Sequence, residues 1–266
     1  MSMLTIIGSG NIGFSLAKGL VKSGQYQAQD IVLTKRSSTG NEEIRAAGFQ
    51  VSHQNSDAIA GADIVVLAVL PQQLRKVMEE IADAVSPNQI IVSVASGVSC
   101  ADIKAILGTD KIVVRAMPNT AIAIGQSMTC IATDTADEAT VKQVEKLFEA
   151  VGAVVVINED LMTSATALCA CGIAFFLRAI RAASQGGVEI GFHAHDALKM
   201  AIQTAKGAAD LLLQTKNHPE SEIDKVTSPK GCTIAGLNEM EHNGLSSAFI
   251  KGIKLSAQKA GGLYND

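Results

Sequence analysis

The sequence predicts an α/β chain: a doubly wound, parallel-stranded domain over residues 1–158, followed by an all-helical region over residues 159–266. Three observations carry this. Short runs rich in Val and Ile alternate with longer stretches of helical period as far as Ile157, which indicates βαβ units. Those runs are apolar throughout rather than alternating, as strands covered by helices on both faces must be. After Asn158 the β-branched runs stop, and Ala, Leu, Met, Lys and Glu dominate, with breaks near Gly186-Gly187, Gly191 and His218 to Pro229.

In order, strands are expected at Leu4 to Gly8, Ile31 to Thr34, Ile64 to Val69, Ile90 to Val94, Ile112 to Arg115 and Val154 to Ile157. The helix after the first strand reads FSLAKGLVKSG. Leu161 to Leu177 carries no charge, yet it holds Thr163, Ser164, Thr166 and Gly172 and is shorter than the roughly 18–20 residues a bilayer requires. It is expected to be a buried core helix, with no membrane span. An apolar half of this kind over 160–266 is more than one subunit covers by itself, so a homodimer or a larger homo-oligomer is expected.

Composition narrows the function. The 266 residues are 47% apolar with a formal net charge of −4, and no Lys/Arg-rich run offers phosphates a surface, which argues against nucleic acid and for small-molecule chemistry. The five cysteines (100, 130, 169, 171, 232) form no CxxC pair, so reduced thiols are expected. Together with an apolar first strand that has no basic segment before it, this predicts a cytoplasmic protein. His193 and His195 are two apart and fall on different faces of a helix, so no metal site is expected. Cys169 and Cys171 share that spacing within an apolar run and read as inert packing.

The first strand ends in Gly8-Ser9-Gly10-Asn11-Ile12-Gly13, directly before a helix. Three glycines so spaced permit a tight turn, a close approach of backbone to pyrophosphate, and packing of helix on strand. In this setting they predict a dinucleotide site of the Rossmann type. At the end of the second strand, where an NAD enzyme places an acidic residue on the ribose, the chain has Thr34-Lys35-Arg36-Ser37-Ser38, and Asp30 sits at the opposite end of the strand. Two cations and two hydroxyls suit a 2′-phosphate, so NADPH is expected, with NADH as the alternative donor. The other reading of these residues is a solvated cationic loop.

Far downstream, Ser228-Pro229-Lys230-Gly231-Cys232-Thr233 presents small residues, a proline preset for a turn, and several N–H groups at a helix start. The residues alone fit a carboxylate site and an ordinary helix N-cap equally.

The segments GSGNIG, ADIVVLAVLPQQ, VRAMPNT and HPESEIDKVTSPKGCTIAGL, in this order, resemble the pyrroline-5-carboxylate reductase family over nearly the whole chain. The resemblance implies NAD(P)H-dependent reduction of a cyclic imino acid to L-proline, in proline biosynthesis. It also implies a helical domain that interlocks with its twin and an active site between the cofactor and the VTSP turn. By position, Asn55, Ala68-Val69-Leu70-Pro71 and Ala95-Ser96-Gly97 would line the cofactor, and Met117, Pro118 and Asn119 would border the nicotinamide. Thr227, Ser228, Gly231, Cys232 and Thr233 would hold the substrate, with the Thr233 hydroxyl in the catalytic role near the imine nitrogen. The chain departs from the family pattern at Leu70, where Lys is usual, at Ala121, where Pro is usual, and across 169–173. The family's VTSPGGTT becomes VTSPKGCT, and Lys230 is expected to face water. These departures keep two alternatives open, a reductase of another small imino or keto acid and a homologue impaired in turnover.

Overall fold

The structure is a computed structural model and describes residues 3–36 and 41–261. Residues 1–171 with 255–266 form one compact unit, and 172–254 form a second. In the first, chain order runs β1 (Leu4–Ile7), α1 (Asn11–Lys22), β2 (Ile31–Thr34), α2 (Asn41–Ala46), β3 (Gln50–Ser52), α3 (Asn55–Ala58) and β4 (Ile64–Leu67). It continues with α4 (Pro71–Ile81), β5 (Ile90–Ser93), α5 (Cys100–Leu107), β6 (Ile112–Met117), β7 (Ser127–Thr133), α6 (Glu138–Glu149) and β8 (Gly152–Val156).

Eight strands form one sheet in the order β3-β2-β1-β4-β5-β6-β7-β8. Successive residues of β1 show why it is covered on both faces. Leu4 and Ile6 join Leu16 and Leu20 of α1 and Phe148 of α6 in one core, while Ile7 joins Leu74 and Met78 of α4 and Ile103 of α5 in the other. Full burial of each such side chain stabilises the fold by about 1.5–3 kcal/mol. Thr5 is the polar exception in this strand, and its hydroxyl donates to the Ala58 carbonyl at 2.6 Å. That bond avoids a penalty of roughly 1–3 kcal/mol for an unpaired buried hydroxyl.

Local signals set the helix starts. Ser99 and Asp102 form a reciprocal capping box at the head of α5, with Asp102 N to Ser99 Oγ at 3.0 Å and Ser99 N to Asp102 Oδ2 at 2.9 Å. Asp137 caps α6 by accepting from Thr140 N at 2.8 Å. Pro71 opens α4, where its missing N–H costs nothing.

Two corrections to the expected sheet follow. β3 and β7 are additional strands, and β7 runs antiparallel to β6 before β8 resumes parallel to β7. A 3₁₀ turn over Thr120–Ile124, ending at Gly125 with φ of 70°, links β6 to β7 where a crossover helix was expected.

Beyond β8 come α7 (Met162–Ala165), a π-helical turn over Thr166–Cys171, α8 (Gly172–Glu189), α9 (Ala194–Thr215), α10 (Pro219–Val226), α11 (Cys232–His242) and α12 (Leu245–Ala260). The expected buried core helix is corrected here. Leu168, Phe176 and Leu177 are exposed, Phe176 to 62%. The helical path also runs on from Glu159 to Glu189, long and apolar enough by length and composition to cross a membrane, so shortness is not what argues against a span. Within the second unit α8 packs on α9 through small residues: Ser184 and Ala197 are buried, and a Cβ on Gly187 would lie 2.9 Å from that of Ala197. The rest of this unit presents Ile190, Leu213, Val226, Met240 and Ile250 outward. Such a surface needs a cover.

One ion pair ties β6 to the segment after β8. Arg115, 6% exposed, donates from Nη1 to Glu159 Oε1 at 3.1 Å, and the same oxygen accepts from Cys100 N at 2.6 Å. Removing one member strands the other charge. Glu159→Ala is expected to cost about 3–5 kcal/mol of stability, and replacing both residues by leucine to recover most of it. Thermal unfolding of the two variants checks this; equal losses in both would refute it.

Candidate functional site

The register of the sheet places the site. Ile7 pairs with Thr34 of β2 and with Leu67 of β4, so the loops after β1, β2 and β4 open at one edge. The chain reverses its direction of winding there, between β1 and β4, which is where open α/β sheets bind ligands. A cleft of about 480 Å³ lies at that edge, lined by Ile7, Gly8, Ser9, Gly10, Thr34, Lys35, Arg36, Asn55 and Val69, with Gln72, Gln73, Lys76, Val77 and Glu80 of α4.

The three glycines of the β1–α1 turn have three different reasons to be glycine. Gly8 has φ of +102°, and a Cβ on it would come 2.5 Å from the Ala68 carbonyl oxygen. A Cβ on Gly13 would lie 2.0 Å from the Gly8 carbonyl oxygen, so helix and turn meet backbone to backbone. A Cβ on Gly10 would meet no atom within 4 Å beyond its own helix and chain neighbours. The fold does not demand a glycine at that position, but a ligand laid against the turn does.

The polar groups around Gly10 suit an anion. Gly10 is the N-cap of α1 and offers no side-chain cap, and the first turn contains no acidic residue. The first intrahelical bond runs from Phe14 N to Gly10 O at 2.9 Å, which leaves the preceding N–H groups without helical acceptors. Ser9 Oγ is buried without a hydrogen-bond partner. A pyrophosphate fits this set of donors.

The adenosine end is framed by cations. Lys35 and Arg36 follow β2, and Lys76 faces the same cleft from α4. The backbone of Lys35 is held by its N–H to Ser52 O at 3.1 Å and by its carbonyl to His53 Nδ1 at 2.7 Å. Asn55 is fixed by Glu80, from Nδ2 to Oε2 at 3.0 Å, so the cleft's carboxylate is already engaged. Ser37 and Ser38, the two hydroxyls expected beside the cations, lie outside the described residues. The sequence reading missed the α4 wall. Residues 69, 72, 73, 76, 77 and 80 recur at helical spacing, and that stripe was the available signal.

Several expected cofactor residues do not line the cleft: Asn11, Ile12 and Gly13 of α1, Ala68, Leu70 and Pro71 after β4, and Ala95, Ser96 and Gly97 after β5. The last group is tied to Met117, since Ser96 Oγ donates to Met117 Sδ at 3.6 Å. Asn119 holds the end of β6. Its N–H donates to Ser127 Oγ at 3.1 Å, its Oδ1 accepts from Ala121 N at 3.0 Å, and its Nδ2 donates to the Cys169 carbonyl at 3.3 Å. The Cys169–Cys171 stretch, where the chain leaves the family pattern, lies in the π-helical turn. Cys169 Sγ lies 3.7 Å from that of Cys130 on β7.

In the second unit, residues 227–231 form a turn between α10 and α11. Gly231 N donates to Ser228 O at 2.9 Å, and Lys230, the third residue of that turn, has φ of +60°. The position calls for glycine; Lys there costs on the order of 1–2 kcal/mol. Its side chain is exposed, as expected. Gly231 is the N-cap of α11, again with no side-chain cap and no acid in the first turn. The Thr227 hydroxyl donates to the Asp224 carbonyl at 3.1 Å. Among the described residues the hydroxyls of Ser228 and Thr233 have no partner within the chain, and Cys232 is exposed. An ordinary side-chain cap is therefore not what this helix start contains.

Known proteins match both parts of the chain. The family profile described as pyrroline-5-carboxylate reductase dimerisation matches residues 159–263, and that described as NADP oxidoreductase, coenzyme F420-dependent, matches residues 3–97. Pyrroline-5-carboxylate reductase 2 of Dictyostelium discoideum is 47% identical over 97% of this chain and 91% of its own. Pyrroline-5-carboxylate reductase 1 of the same organism is 51% identical over 98% of this chain, which spans half the length of that relative. The solved structure of a pyrroline-5-carboxylate reductase from Coxiella burnetii superposes with a TM-score of 0.92 at 30% identity, covering 98% of each chain.

The glycine analysis separates ligand effects from folding effects. Gly10→Val is expected to fold normally and to lose dinucleotide affinity by about a hundredfold or more, roughly 2.7 kcal/mol. Gly13→Ala is expected to lose roughly 1–3 kcal/mol of stability instead. Isothermal titration with NADPH and thermal melts check both; unchanged affinity in a folded Gly10→Val protein would overturn the assignment.

Proposed function

Since the chain belongs to the pyrroline-5-carboxylate reductase family, we propose that it reduces pyrroline-5-carboxylate to L-proline as an NAD(P)H-dependent oxidoreductase acting on a C=N bond, in proline biosynthesis. Residues 1–158 act as the dinucleotide-binding domain and 159–266 as the dimerisation and substrate domain, a division supported by where the two family profiles match. The chain works as a homodimer, and the outward apolar side chains of α8 to α12 are the surface that a second copy covers. A cytoplasmic location without a membrane span belongs to the same reading. α8 carries Arg178 and Arg181, both exposed, and charged residues are rare in lipid-facing helices.

The observation that carries the substrate assignment is the uncapped start of α11 behind the Ser228–Gly231 turn. The N–H groups of Cys232, Thr233 and the residues beside them donate to the substrate carboxylate, and the turn at Lys230 holds them in position. The Ser228 hydroxyl, free of intrachain partners, is a further donor beside them. The Thr233 hydroxyl, free of intrachain partners, faces the imine nitrogen. An iminium carbon is already electrophilic, so positioning supplies most of the acceleration and no strong acid is needed. That accounts for a site without a conspicuous histidine or carboxylate.

Bound NADPH supplies the hydride. The residues that hold it are Ser9 with the N–H groups of Gly10, Asn11 and Ile12 for the pyrophosphate, and Lys35 and Arg36 for the 2′-phosphate. Asn55 and Val69, which line the cleft, contact the cofactor there; Ala68, Leu70, Pro71 and Ala95 to Gly97, outside the cleft, would meet it farther along, and Met117 to Asn119 would border the nicotinamide. Two cations flank this end of the cleft and its carboxylate is engaged with Asn55, which favours NADPH over NADH.

Thr233→Val keeps the side-chain shape and removes the hydroxyl. With pyrroline-5-carboxylate as substrate, kcat/KM is expected to fall roughly tenfold to a few hundredfold, about 1.4–3 kcal/mol, with NADPH affinity unchanged. Unaltered kinetics alongside a lowered melting temperature would show that the residue only supports the helix start and would refute the assignment.

A further inference from the structure

Cys130 on β7 and Cys169 in the π-helical turn are 39 positions apart in sequence, yet their sulfurs make a thiol–thiol contact at 3.7 Å. Both sit in a small apolar cluster with Met117, Ala132, Met162 and Ala165. Cys130 is buried and Cys169 partly exposed. The hydrogen bond from Cys130, working against burial, draws the Cys169 thiol down to about 7, and the same bond together with burial pushes Cys130 up. Cys169 is the member of the pair whose thiolate is favoured.

We propose that Cys130 and Cys169 form a redox site, a dithiol that a small hydroperoxide oxidises to an intrachain disulfide. The Cys169 thiolate, its own proton lost to solvent, attacks one peroxide oxygen; an S–O bond forms, the O–O bond breaks, and the departing hydroxide takes a proton from solvent as water. Cys169 is then a sulfenic acid. The Cys130 sulfur attacks the Cys169 sulfur, the S–S bond forms, the S–O bond breaks, and the hydroxide leaves with the Cys130 proton as a second water. Two thiols lose two electrons and one peroxide is reduced to two waters. The sulfurs must close from 3.7 Å to about 2.05 Å, a movement within the reach of side-chain rotation and a small shift of the π-helical turn. Closure pins that turn to β7 and acts on Asn119, which holds the Cys169 carbonyl.

Hydrogen peroxide in severalfold excess over the folded, reduced chain tests this at neutral pH. The expected result is a loss of about 2 Da in intact mass, a crosslinked Cys130–Cys169 peptide in a non-reducing digest, and full reversal by dithiothreitol. Cys130→Ser is expected to stop at a sulfenic acid on Cys169 that dimedone traps, and Cys169→Ser to form no disulfide. Retention of both thiols in the unaltered protein, or a crosslink that uses Cys171 or Cys232 in place of either residue, would overturn the proposal, and this digest does not depend on how the variants fold.

Discussion

The structure depends on how closely the β1–α1 turn approaches the end of β4. The Ala68 carbonyl occupies the space beside Gly8, and the Gly8 carbonyl occupies the space beside Gly13, so strand, turn and helix pack without any side chain between them. That compression brings the N-terminus of α1 to the sheet edge where the winding reverses. It leaves open space where a Cβ on Gly10 would stand, and Ser9 Oγ without a partner. Free N–H groups at the head of α1 face that space, and the cations after β2 and on α4 lie to one side of it.

The second unit contains a helix start of the same kind. A glycine N-cap again denies α11 a side-chain cap, and a turn with positive φ at Lys230 again sets the approach. The lysine is informative because the conformation survives an unfavourable residue. Something other than residue preference therefore holds the turn, and the Gly231 to Ser228 bond is the visible part of it. Around this helix start α8 to α12 carry exposed apolar side chains, in the stretch that matches a dimerisation profile.

Much of this was legible in the sequence where one residue type has one physical reason to be there. Strands dense in Val and Ile between helical stretches announced a covered sheet, and the glycine spacing announced the turn. β3, with Gln50 and Ser52 among its three residues, is too short and polar to stand out. β7, reading SMTCIAT, carries mixed residues because it is reached through a 3₁₀ turn and breaks the βαβ rhythm. Pairings across long separations were not legible at all: Glu80 holding Asn55, and Cys130 meeting Cys169, depend on tertiary contact. The length of the apolar helix was misjudged because Arg178 and Arg181 look like an end, while the backbone continues through them to Glu189.

The proposed reaction transfers a hydride from NADPH to the carbon of a cyclic imine. Reduction of pyrroline-5-carboxylate with NADPH deuterated at the transferable C4 position, followed by mass spectrometry of the product, tests it most directly. The account predicts L-proline carrying one deuterium at the former imine carbon, C5. Proline without deuterium, or no proline at all from the folded dimer, would contradict it.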